Sequence, residues 1–231
     1  MRLAVIPARG GSKRIPRKNV ALFAGRPMIG YAISVAQRSG LFDQVVVSTD
    51  DPEIADVARS LGAELPFVRP AELADDHAVT AAVMVHALQH GAQNGWLREP
   101  DAEVCCIYPG VPLLNVQDLR QGLAVLQTGL YAFAVVPFAA AIQRALRRQA
   151  NGATAPFFSE HQATRTQDLE PAFHDAGQFY WGHASTWLSG LSIHDHARTV
   201  VLPEWRVVDI DTPDDWKRAE ALYAALQAPS A

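Results

Sequence analysis

Near its start the chain reads Ala8-Arg9-Gly10-Gly11-Ser12-Lys13-Arg14-Ile15-Pro16-Arg17-Lys18-Asn19, directly after a short apolar run, Leu3-Ala4-Val5-Ile6. Five of these twelve residues are Lys or Arg, and two are adjacent glycines. Because glycine has no Cβ, its backbone N–H groups can approach a ligand closely. Lys and Arg add positive charge, and an Arg side chain can hold phosphate oxygens with two parallel hydrogen bonds. An apolar strand that ends in such a loop predicts a polyphosphate-binding site.

Two other interpretations of this loop remain open, a solvated basic loop and a basic arm that binds nucleic acid. The loop matches neither G-x-x-x-x-G-K-[ST] nor G-x-G-x-x-G. Residues 1–42 contain eight of the twenty Lys and Arg residues and none of the 24 Asp and Glu residues, whereas the whole chain carries a net charge of −4. Because nucleic-acid-binding domains are usually basic over a broad surface, we predict a small anionic ligand and no nucleic-acid partner.

Composition predicts a soluble, cytoplasmic globular protein. The 231 residues, 49% hydrophobic and 19% charged, suit a single domain over residues 1–231. Cys105 and Cys106 are adjacent in an apolar run, a spacing that provides neither a disulfide framework nor a metal site, so both are expected to stay reduced. The longest uncharged apolar run, residues 130–142, is too short to span a membrane, so no membrane partner is predicted.

Strand and helix patterns alternate over the first 136 residues. Asp51, followed by Pro52, and Asn115 are predicted helix N-caps. The alternation predicts a largely parallel, doubly wound α/β sheet, whose ligands bind beyond the carboxyl ends of the strands, where the glycine loop lies. Apolar runs predict its buried strands at residues 3–7, 45–47, 104–108 and 131–136.

This regular pattern is lost between about residues 138 and 175, where polar residues, Gly152 and Pro156 interrupt the apolar spacing. The segment is predicted to be an insertion of hairpins and loops within the domain. Regularity returns at Gly177. The chain then ends with a predicted strand at residues 206–210 and a helix that Thr212 caps.

Asp209-Ile210-Asp211 is the second motif with chemical meaning. On a strand, residues two apart point to the same face, so the two carboxylates are expected to lie side by side. Such a pair suits Mg²⁺, which takes one or two carboxylates together with water and substrate phosphates. The alternative is that Asp211 caps the last helix, since Thr212 and Pro213 follow it. The cationic loop in the same chain favours the metal interpretation.

The loop, quoted as I-P-A-R-G-G-S-K-R-I-P-R-K-N, closely resembles the opening of the cytidylyltransferases that activate sialic-acid-like sugars as CMP conjugates. The run Arg69-Pro70-Ala71-Glu72-Leu73-Ala74-Asp75-Asp76 resembles a second motif of that family, and the D-I-D run matches its metal-binding motif. This resemblance extends from Leu3 to about Leu222. It implies a Rossmann-like, three-layer α/β/α nucleotidyltransferase fold of the nucleotide-diphospho-sugar transferase type, with a dimerisation insertion and a homodimeric assembly.

The resemblance also implies roles for individual residues. Mg²⁺ is expected on Asp209 and Asp211, which together with Arg9, Lys13 and Lys18 form the predicted catalytic set. Asp50, at the end of a predicted strand, is given a structural role before a catalytic one. The predicted nucleotide-binding residues are Ala8, Arg9, Gly10, Gly11, Ser12, Lys13, Asn19, Arg69, Asp76, Thr80 and Tyr108.

The run from Arg165 to Gly182, which includes F-H-D-A-G-Q-F-Y-W-G, resembles the branch of this family that acts on pseudaminic acid, a nine-carbon 2-keto sugar acid. In this comparison Arg165 could pair with the sugar carboxylate, Gln178 could bond its hydroxyl or amide groups, and Tyr180 and Trp181 could cover its ring. Core packing is the alternative for the aromatic residues of this run, and it is preferred for Phe179.

One departure from the family lies in Tyr108-Pro109-Gly110-Val111-Pro112, where sialate enzymes usually show Q-P-T-S-P or a similar run. Hydroxyl groups are therefore missing at Gly110 and Val111, although backbone groups could replace them.

His86 and His90 lack the glutamate and third ligand of a zinc site, and His194-Asp195-His196 is interpreted as a polar loop.

The predicted reaction joins CTP and a nonulosonic acid, with pseudaminic acid preferred, to give the CMP-sugar and pyrophosphate. The anomeric hydroxyl attacks the α-phosphorus in line, without a covalent enzyme intermediate. No general base is evident in the sequence. Two alternatives remain: a transferase for another acid, such as neuraminate, legionaminate or an octulosonate, and a nucleotide-binding module without turnover.

Overall fold

A central six-stranded sheet dominates the computed structural model, which describes residues 1–75, 78–99, 101–126 and 130–228. The strands of the chain are β1 (Arg2–Pro7), β2 (Leu22–Phe23), β3 (Arg26–Pro27), β4 (Gln44–Ser48), β5 (Glu103–Ile107), β6 (Tyr131–Pro137), β7 (Leu146–Arg148), β8 (Thr154–Pro156), β9 (Phe173–His183) and β10 (Ala197–Val201). The α-helices are α1 (Ile29–Ser39), α2 (Pro52–Ser60), α3 (Thr80–Gln93), α4 (Val116–Val125), α5 (Ala184–Ser189) and α6 (Pro213–Gln227).

The strand order in this sheet is β10-β6-β9-β5-β1-β4. Strand β1 runs parallel to β4 and β5, and β10 runs parallel to β6. Strand β9 is antiparallel to both of its neighbours. The predicted α/β sheet is therefore confirmed as mixed and rich in parallel strands, with β9 as the antiparallel member that the alternation did not reveal.

Helices cover both faces of the sheet, so the predicted three-layer arrangement is confirmed. Successive residues of a strand point to opposite faces. Accordingly, Ala4 and Ile6 pack with α1, α2 and α4, whereas Leu3 and Val5 pack with α3 and α5. Each large apolar side chain buried in these layers contributes roughly 1.5–3 kcal/mol. A third cluster packs α6 against the β2–β3 hairpin around Phe23.

The predicted helix caps are confirmed. The Asp51 side chain accepts a hydrogen bond from the Ile54 N–H, with Pro52 in the first turn of α2. Asn115 and Thr212 each form a capping box, with Asp118 and Asp215 as the respective partners. These caps fix where α2, α4 and α6 begin, and thereby fix the loops at the carboxyl edge of the sheet.

The predicted strand at residues 206–210 is wrong. Glu204–Arg206 forms a 3₁₀ turn, and residues 207–210 do not join any described strand. The apolar side chains there are buried because Val207 packs into the core of the sheet and Ile210 against α6, so the pattern reflects burial and not strand pairing. Arg206 anchors the segment with two hydrogen bonds, 2.6 and 2.8 Å long, to the buried Asp118 carboxylate.

The segment predicted as an insertion at about residues 138–175 is irregular, but β9 already begins at Phe173 and returns the chain to the sheet. Before β9 the segment contains the β7–β8 hairpin and three short 3₁₀ turns. Its role in dimerisation stays a prediction.

Within the described ranges of the chain, no helix is long and apolar enough to cross a bilayer.

Candidate functional site

A cavity of about 330 Å³ lies beyond the carboxyl ends of β1 and β5. Its wall comes from the basic loop after β1, from Arg69 and the segment that follows it, from the start of α3, and from Tyr108 after β5. Asp211 completes the wall from the other end of the chain. The edge of the sheet predicted to bind ligands therefore carries a cavity that both motifs reach.

The loop itself is held by the backbone of its first residues. The Ala8 N–H donates to the Ser48 carbonyl at 2.9 Å, and the Gly10 N–H donates to Asp50 Oδ1 at 3.1 Å. The Ser12 N–H donates to the Gly10 carbonyl at 3.0 Å. These N–H groups are therefore engaged within the chain, and Asp50 has the structural role that the sequence suggested.

Gly10 and Gly11 differ in what surrounds them. A Cβ on Gly10 would lie 2.7 Å from Asp51 Oδ2 and 2.9 Å from Asp51 Cβ, whereas nothing lies within 4 Å of a Cβ on Gly11. Asp51 cannot easily move aside, because it caps α2 and pairs with Arg17 at 2.5 Å. The first glycine is therefore required by packing, and the second lies at an open, exposed tip of the loop.

We expect Gly10→Ala to lower the free energy of unfolding by about 1–3 kcal/mol and to raise the KM for the predicted nucleotide, because overpacking displaces the loop from Asp51. Gly11→Ala is the matched control and should change neither quantity appreciably. Chemical denaturation and steady-state kinetics on both variants measure these effects. Equal changes in the free energy of unfolding and in KM for the two variants would contradict the packing argument.

Arg69 is a buried cation whose direct hydrogen-bond partners in the described part of the chain are neutral. Only 4% of its surface is exposed, its Nε donates to Ser48 Oγ at 3.0 Å, and its Nη groups donate to the Ser48 and Leu73 carbonyls. Burial lowers the pKa of Arg69 to about 10, an effect that nearby Asp50 partly offsets. The side chain is still charged at neutral pH and lines the cavity, so an anionic ligand there would relieve the cost of its burial.

Asn19 also points to a ligand. It is 4% exposed and lines the cavity, and its Nδ2 donates to the Arg9 carbonyl at 3.0 Å. Its Oδ1 is buried without a hydrogen-bond partner in the described chain. A buried acceptor without a partner costs about 1–3 kcal/mol, and a donor on a bound ligand would remove that cost.

The cations of the loop separate into two groups. Arg9, Lys13, Arg14 and Lys18 line the cavity, and Arg9 Nη1 donates to the Asp75 carbonyl at 2.7 Å. Arg17 instead pairs with Asp51 and Glu53 on α2 and supports the loop from outside. This pairing holds the pKa of Asp51 below its usual range.

Asp211 of the acidic motif contacts the basic loop, although 193 residues of the chain separate it from Lys18. Asp211 Oδ2 lies 2.7 Å from Arg14 Nη2, and Asp211 Oδ1 lies 3.5 Å from Lys18 Nζ. Lys18 Nζ also donates to the Ile210 carbonyl at 2.6 Å. Because Thr212 caps α6, the Asp211 carboxylate is not required for capping and faces the cavity.

The two carboxylates are close enough to influence each other. Partial burial and the charge of Asp211 hold the pKa of Asp209 above its usual range, while Lys18 acts in the opposite direction. Paired carboxylates of this kind are stabilised by a cation. No group of three or more His, Cys, Asp or Glu side chains with metal-site geometry occurs in the described chain. The donor set therefore fits an ion that keeps several waters and binds phosphate, as Mg²⁺ does.

The predicted sugar-binding residues are not brought together. Trp181 is fully buried on the α4 side of the sheet, where its Nε1 donates to the Leu119 carbonyl and its ring stacks on Phe42. The prediction that Trp181 covers a sugar ring therefore does not agree with its position. Arg165 is exposed in the segment before β9 and does not line the cavity. Gln178 is 3% exposed, and its Nε2 donates to the Ala176 carbonyl at 3.2 Å.

Tyr180 lies next to the cavity wall. Its ring centroid is 5.3 Å from that of Tyr108, which lines the cavity and whose hydroxyl lies 2.9 Å from Thr80 Oγ1.

Among the remaining predicted nucleotide-binding residues, Ser12 lines the cavity, and Asp76 falls outside the described residues. Sequence reasoning missed Arg14 as a partner of Asp211, although its place in the loop was a usable signal.

The chain matches the model of the cytidylyltransferase family over residues 3–188. Pseudaminic acid cytidylyltransferase of Campylobacter jejuni is 42% identical over 224 residues, which cover 96% of this chain and 95% of the relative. CMP-N,N'-diacetyllegionaminic acid synthase of Legionella pneumophila is 30% identical over 230 residues, which cover 97% of each chain. The resemblance read from the loop and D-I-D motifs is confirmed.

Two solved structures share the fold. CMP:2-keto-3-deoxy-manno-octonic acid synthetase in complex with CTP superimposes with a TM-score of 0.69 at 18% identity, covering 97% of this chain and 99% of that one. 4-Diphosphocytidyl-2C-methyl-D-erythritol synthase of Anaerococcus prevotii gives 0.63 at 12% identity, covering 98% of each. The predicted Rossmann-like nucleotidyltransferase fold is confirmed.

Proposed function

Because the chain belongs to the cytidylyltransferase family, we propose that it transfers CMP from CTP to the anomeric hydroxyl of pseudaminic acid and releases pyrophosphate. The observation that carries this substrate is the 42% identity to a pseudaminic acid cytidylyltransferase over nearly the full length of both chains. The cavity supports the nucleotide part of the proposal, since a buried Arg69 and four loop cations suit a triphosphate.

In the proposed reaction the sugar oxygen bonds to the α-phosphorus as the bond from that phosphorus to the departing pyrophosphate breaks. Arg9, Lys13 and Lys18 offset the charge that develops on the phosphate oxygens. Arg69 holds the nucleotide from the opposite wall, and Asn19 fixes the backbone at Arg9. We propose that the hydroxyl proton is released to solvent water in the same step.

We propose Mg²⁺ as the cofactor, with Asp209 and Asp211 as its protein ligands. Bound there, the ion would neutralise and polarise the α-phosphate. In the chain itself, Arg14 and Lys18 lie against Asp211 and balance its charge. Binding of nucleotide with its metal would let these two cations turn from the carboxylate to the phosphates.

Pyrophosphate release with CTP, Mg²⁺ and a panel of nonulosonic acids tests the proposal. We expect kcat/KM for pseudaminate to exceed that for N-acetylneuraminate by at least about a hundredfold, because two unpaired polar groups each reduce the rate roughly tenfold or more. A preference for neuraminate, legionaminate or an octulosonate would refute the substrate and keep the reaction. CTP binding without pyrophosphate release from any acid would show a nucleotide-binding module instead.

We also propose a homodimer formed through the segment before β9. Four apolar residues of this segment, which has little regular structure, are between 38% and 59% exposed: Phe138, Leu146, Phe157 and Phe158. A second copy of the chain would bury these side chains. We also propose a cytoplasmic location, which the two free thiols, Cys105 and Cys106, and the proposed use of CTP support.

Sedimentation velocity at micromolar concentration is expected to give a dimer for the wild-type chain and a monomer for Leu146→Asp. Leu191→Asp is the control, because Leu191 is 43% exposed but lies outside the segment. A fully active wild-type monomer would exclude the proposed assembly, as would a dimer in both variants.

A further inference from the structure

A second cavity, of about 250 Å³, lies among α1, the start of α4 and the end of α6. Its wall contains three arginines from separate elements: Arg26 of β3, Arg38 of α1 and Arg206 of the 3₁₀ turn before residue 207. Among the described residues, no Asp or Glu lines this cavity, and its wall shares no residue with that of the cavity beside the basic loop. The second cavity is therefore a separate, cationic place in the fold.

Two of its three arginines have charges that the protein does not balance. Arg206 donates two hydrogen bonds to the Asp118 carboxylate, so its charge is neutralised. Neither Arg26 nor Arg38 forms an ion pair with a carboxylate in the described part of the chain. The carboxyl end of α6 reaches the cavity at Gln227, but a helix end carries only about half an elementary charge. It cannot offset two guanidinium groups.

Arg26 is held in place by packing and not by an acid. A Cβ on Gly30 would lie 2.8 Å from Arg26 Nε and 3.4 Å from its Cγ, so the side chain lies against α1 where glycine leaves room for it. Its guanidinium carbon is 5.4 Å from the centroid of the Tyr31 ring, a cation–π contact. The Tyr31 hydroxyl donates to the Phe23 carbonyl at 2.7 Å, which fixes the ring. Because a ring face does not use the N–H donors at the edge of the guanidinium, Arg26 is oriented and still able to bind an anion.

Helix α1 presents a donor surface to the same cavity. Tyr31, Ser34 and Arg38 all line it, and their spacing of three and four residues places them on one face of the helix. Ser34 adds a hydroxyl donor between the ring and the second unbalanced arginine. Two like charges at one cavity repel each other, and an anion placed between them removes that cost.

We propose that this cavity is a second anion-binding site, which takes a small oxyanion with at least two negative charges on Arg26, Arg38 and Ser34. Guanidinium groups hold phosphate and carboxylate oxygens with the same pair of parallel hydrogen bonds, so the two classes share one chemistry. The volume of about 250 Å³, against about 330 Å³ for the cavity beside the basic loop, suits an anion smaller than a nucleoside triphosphate. The site is independent of the proposed reaction.

Calorimetric titration of the full chain with inorganic pyrophosphate and with malonate, without divalent metal, tests the site. Arg69→Met serves as the background, because the cavity beside the basic loop also suits pyrophosphate. In that background we expect Arg26→Met to weaken binding about tenfold, and the exposed Arg38→Met about three- to tenfold, since water screens its charge. Arg59→Met is the control and should change affinity less than about twofold, because Arg59 is 58% exposed on α2 and pairs with Asp56.

Thermal unfolding checks Arg26→Met, whose side chain packs on α1. Arg38→Met tests the site by itself, because an exposed side chain can be replaced without disturbing the core. Tighter binding of pyrophosphate would assign the ligand to the phosphate class, and tighter binding of malonate to the carboxylates. Equal affinities in Arg38→Met and Arg59→Met would overturn the inference, as would no binding of either probe to Arg69→Met at millimolar concentration. Since no turnover is measured, failure of the proposed function would leave this result unchanged.

Discussion

Asp211→Asn is expected to lower kcat by about 10²- to 10⁴-fold while leaving the fold intact, because it removes the charge of a proposed metal ligand. The residue is suited to such a test. Its carboxylate faces the cavity and the basic loop, and neither a helix cap nor the core depends on it. The loss should appear in turnover with Mg²⁺ and also as weaker Mn²⁺ binding, measured by electron paramagnetic resonance with CTP present.

The matched control is Asp214→Asn in the first turn of α6. Asp214 is almost fully exposed, and among the described residues it pairs with Lys217 alone, so the same change of charge should leave turnover and Mn²⁺ binding near the wild-type values. Thermal unfolding of both variants checks the fold. Near-native turnover in Asp211→Asn, with Mg²⁺ as the only metal, would show that the carboxylate only balances Arg14 and Lys18.

The features of the fold that local chemistry determines were predictable from sequence. Asp51, Asn115 and Thr212 cap helices because each has a short polar side chain just before a helical run, and these interactions involve residues only three apart. The basic loop after β1 and the D-I-D run were likewise visible as local patterns, and the structure brings them to one cavity.

Features that depend on partners distant in sequence were not predictable in the same way. Strand β9 is buried on both faces, so its direction relative to its neighbours leaves no mark in its hydrophobic pattern. The apolar residues at 207–210 look like a strand because they are buried against two different clusters, and no local signal reports the missing strand partner.

The error at Trp181 could have been avoided. Neighbouring residues of a strand point to opposite faces, so Tyr180 and Trp181 cannot both face one ligand. The structure places Tyr180 toward Tyr108 and Trp181 toward Leu119. Strand periodicity alone would have linked Tyr180 with Gln178 and separated it from Phe179 and Trp181. Strand periodicity could not have predicted the contact between Asp175 and His194, in contrast, because His194 lies 19 residues further along the chain.

Arg69→Met is expected to weaken CTP binding by at least about a hundredfold, since a hydrogen bond to a charged group contributes roughly 1.5–3 kcal/mol and Arg69 can form two with phosphate oxygens. Burial supplies the physical reason for so large an effect at one residue. The guanidinium is 4% exposed, and its hydrogen bonds within the described residues go to neutral oxygens of Ser48 and Leu73, so water screens it little. Methionine fills a similar volume without the charge.

In Arg69→Met, the free energy of unfolding should change much less than the free energy of CTP binding. Removing the guanidinium leaves the Ser48 and Leu73 carbonyls without one donor each, but it also removes the burial that lowers the Arg69 pKa to about 10. Arg17→Met is the matched control, because Arg17 carries the same charge in the same part of the fold but pairs with Asp51 and Glu53 outside the cavity. Calorimetric titration with CTP should show normal affinity for Arg17→Met and a large loss for Arg69→Met. Comparable affinities in the two variants would mean that Arg69 supports β4 through Ser48 and does not bind the nucleotide.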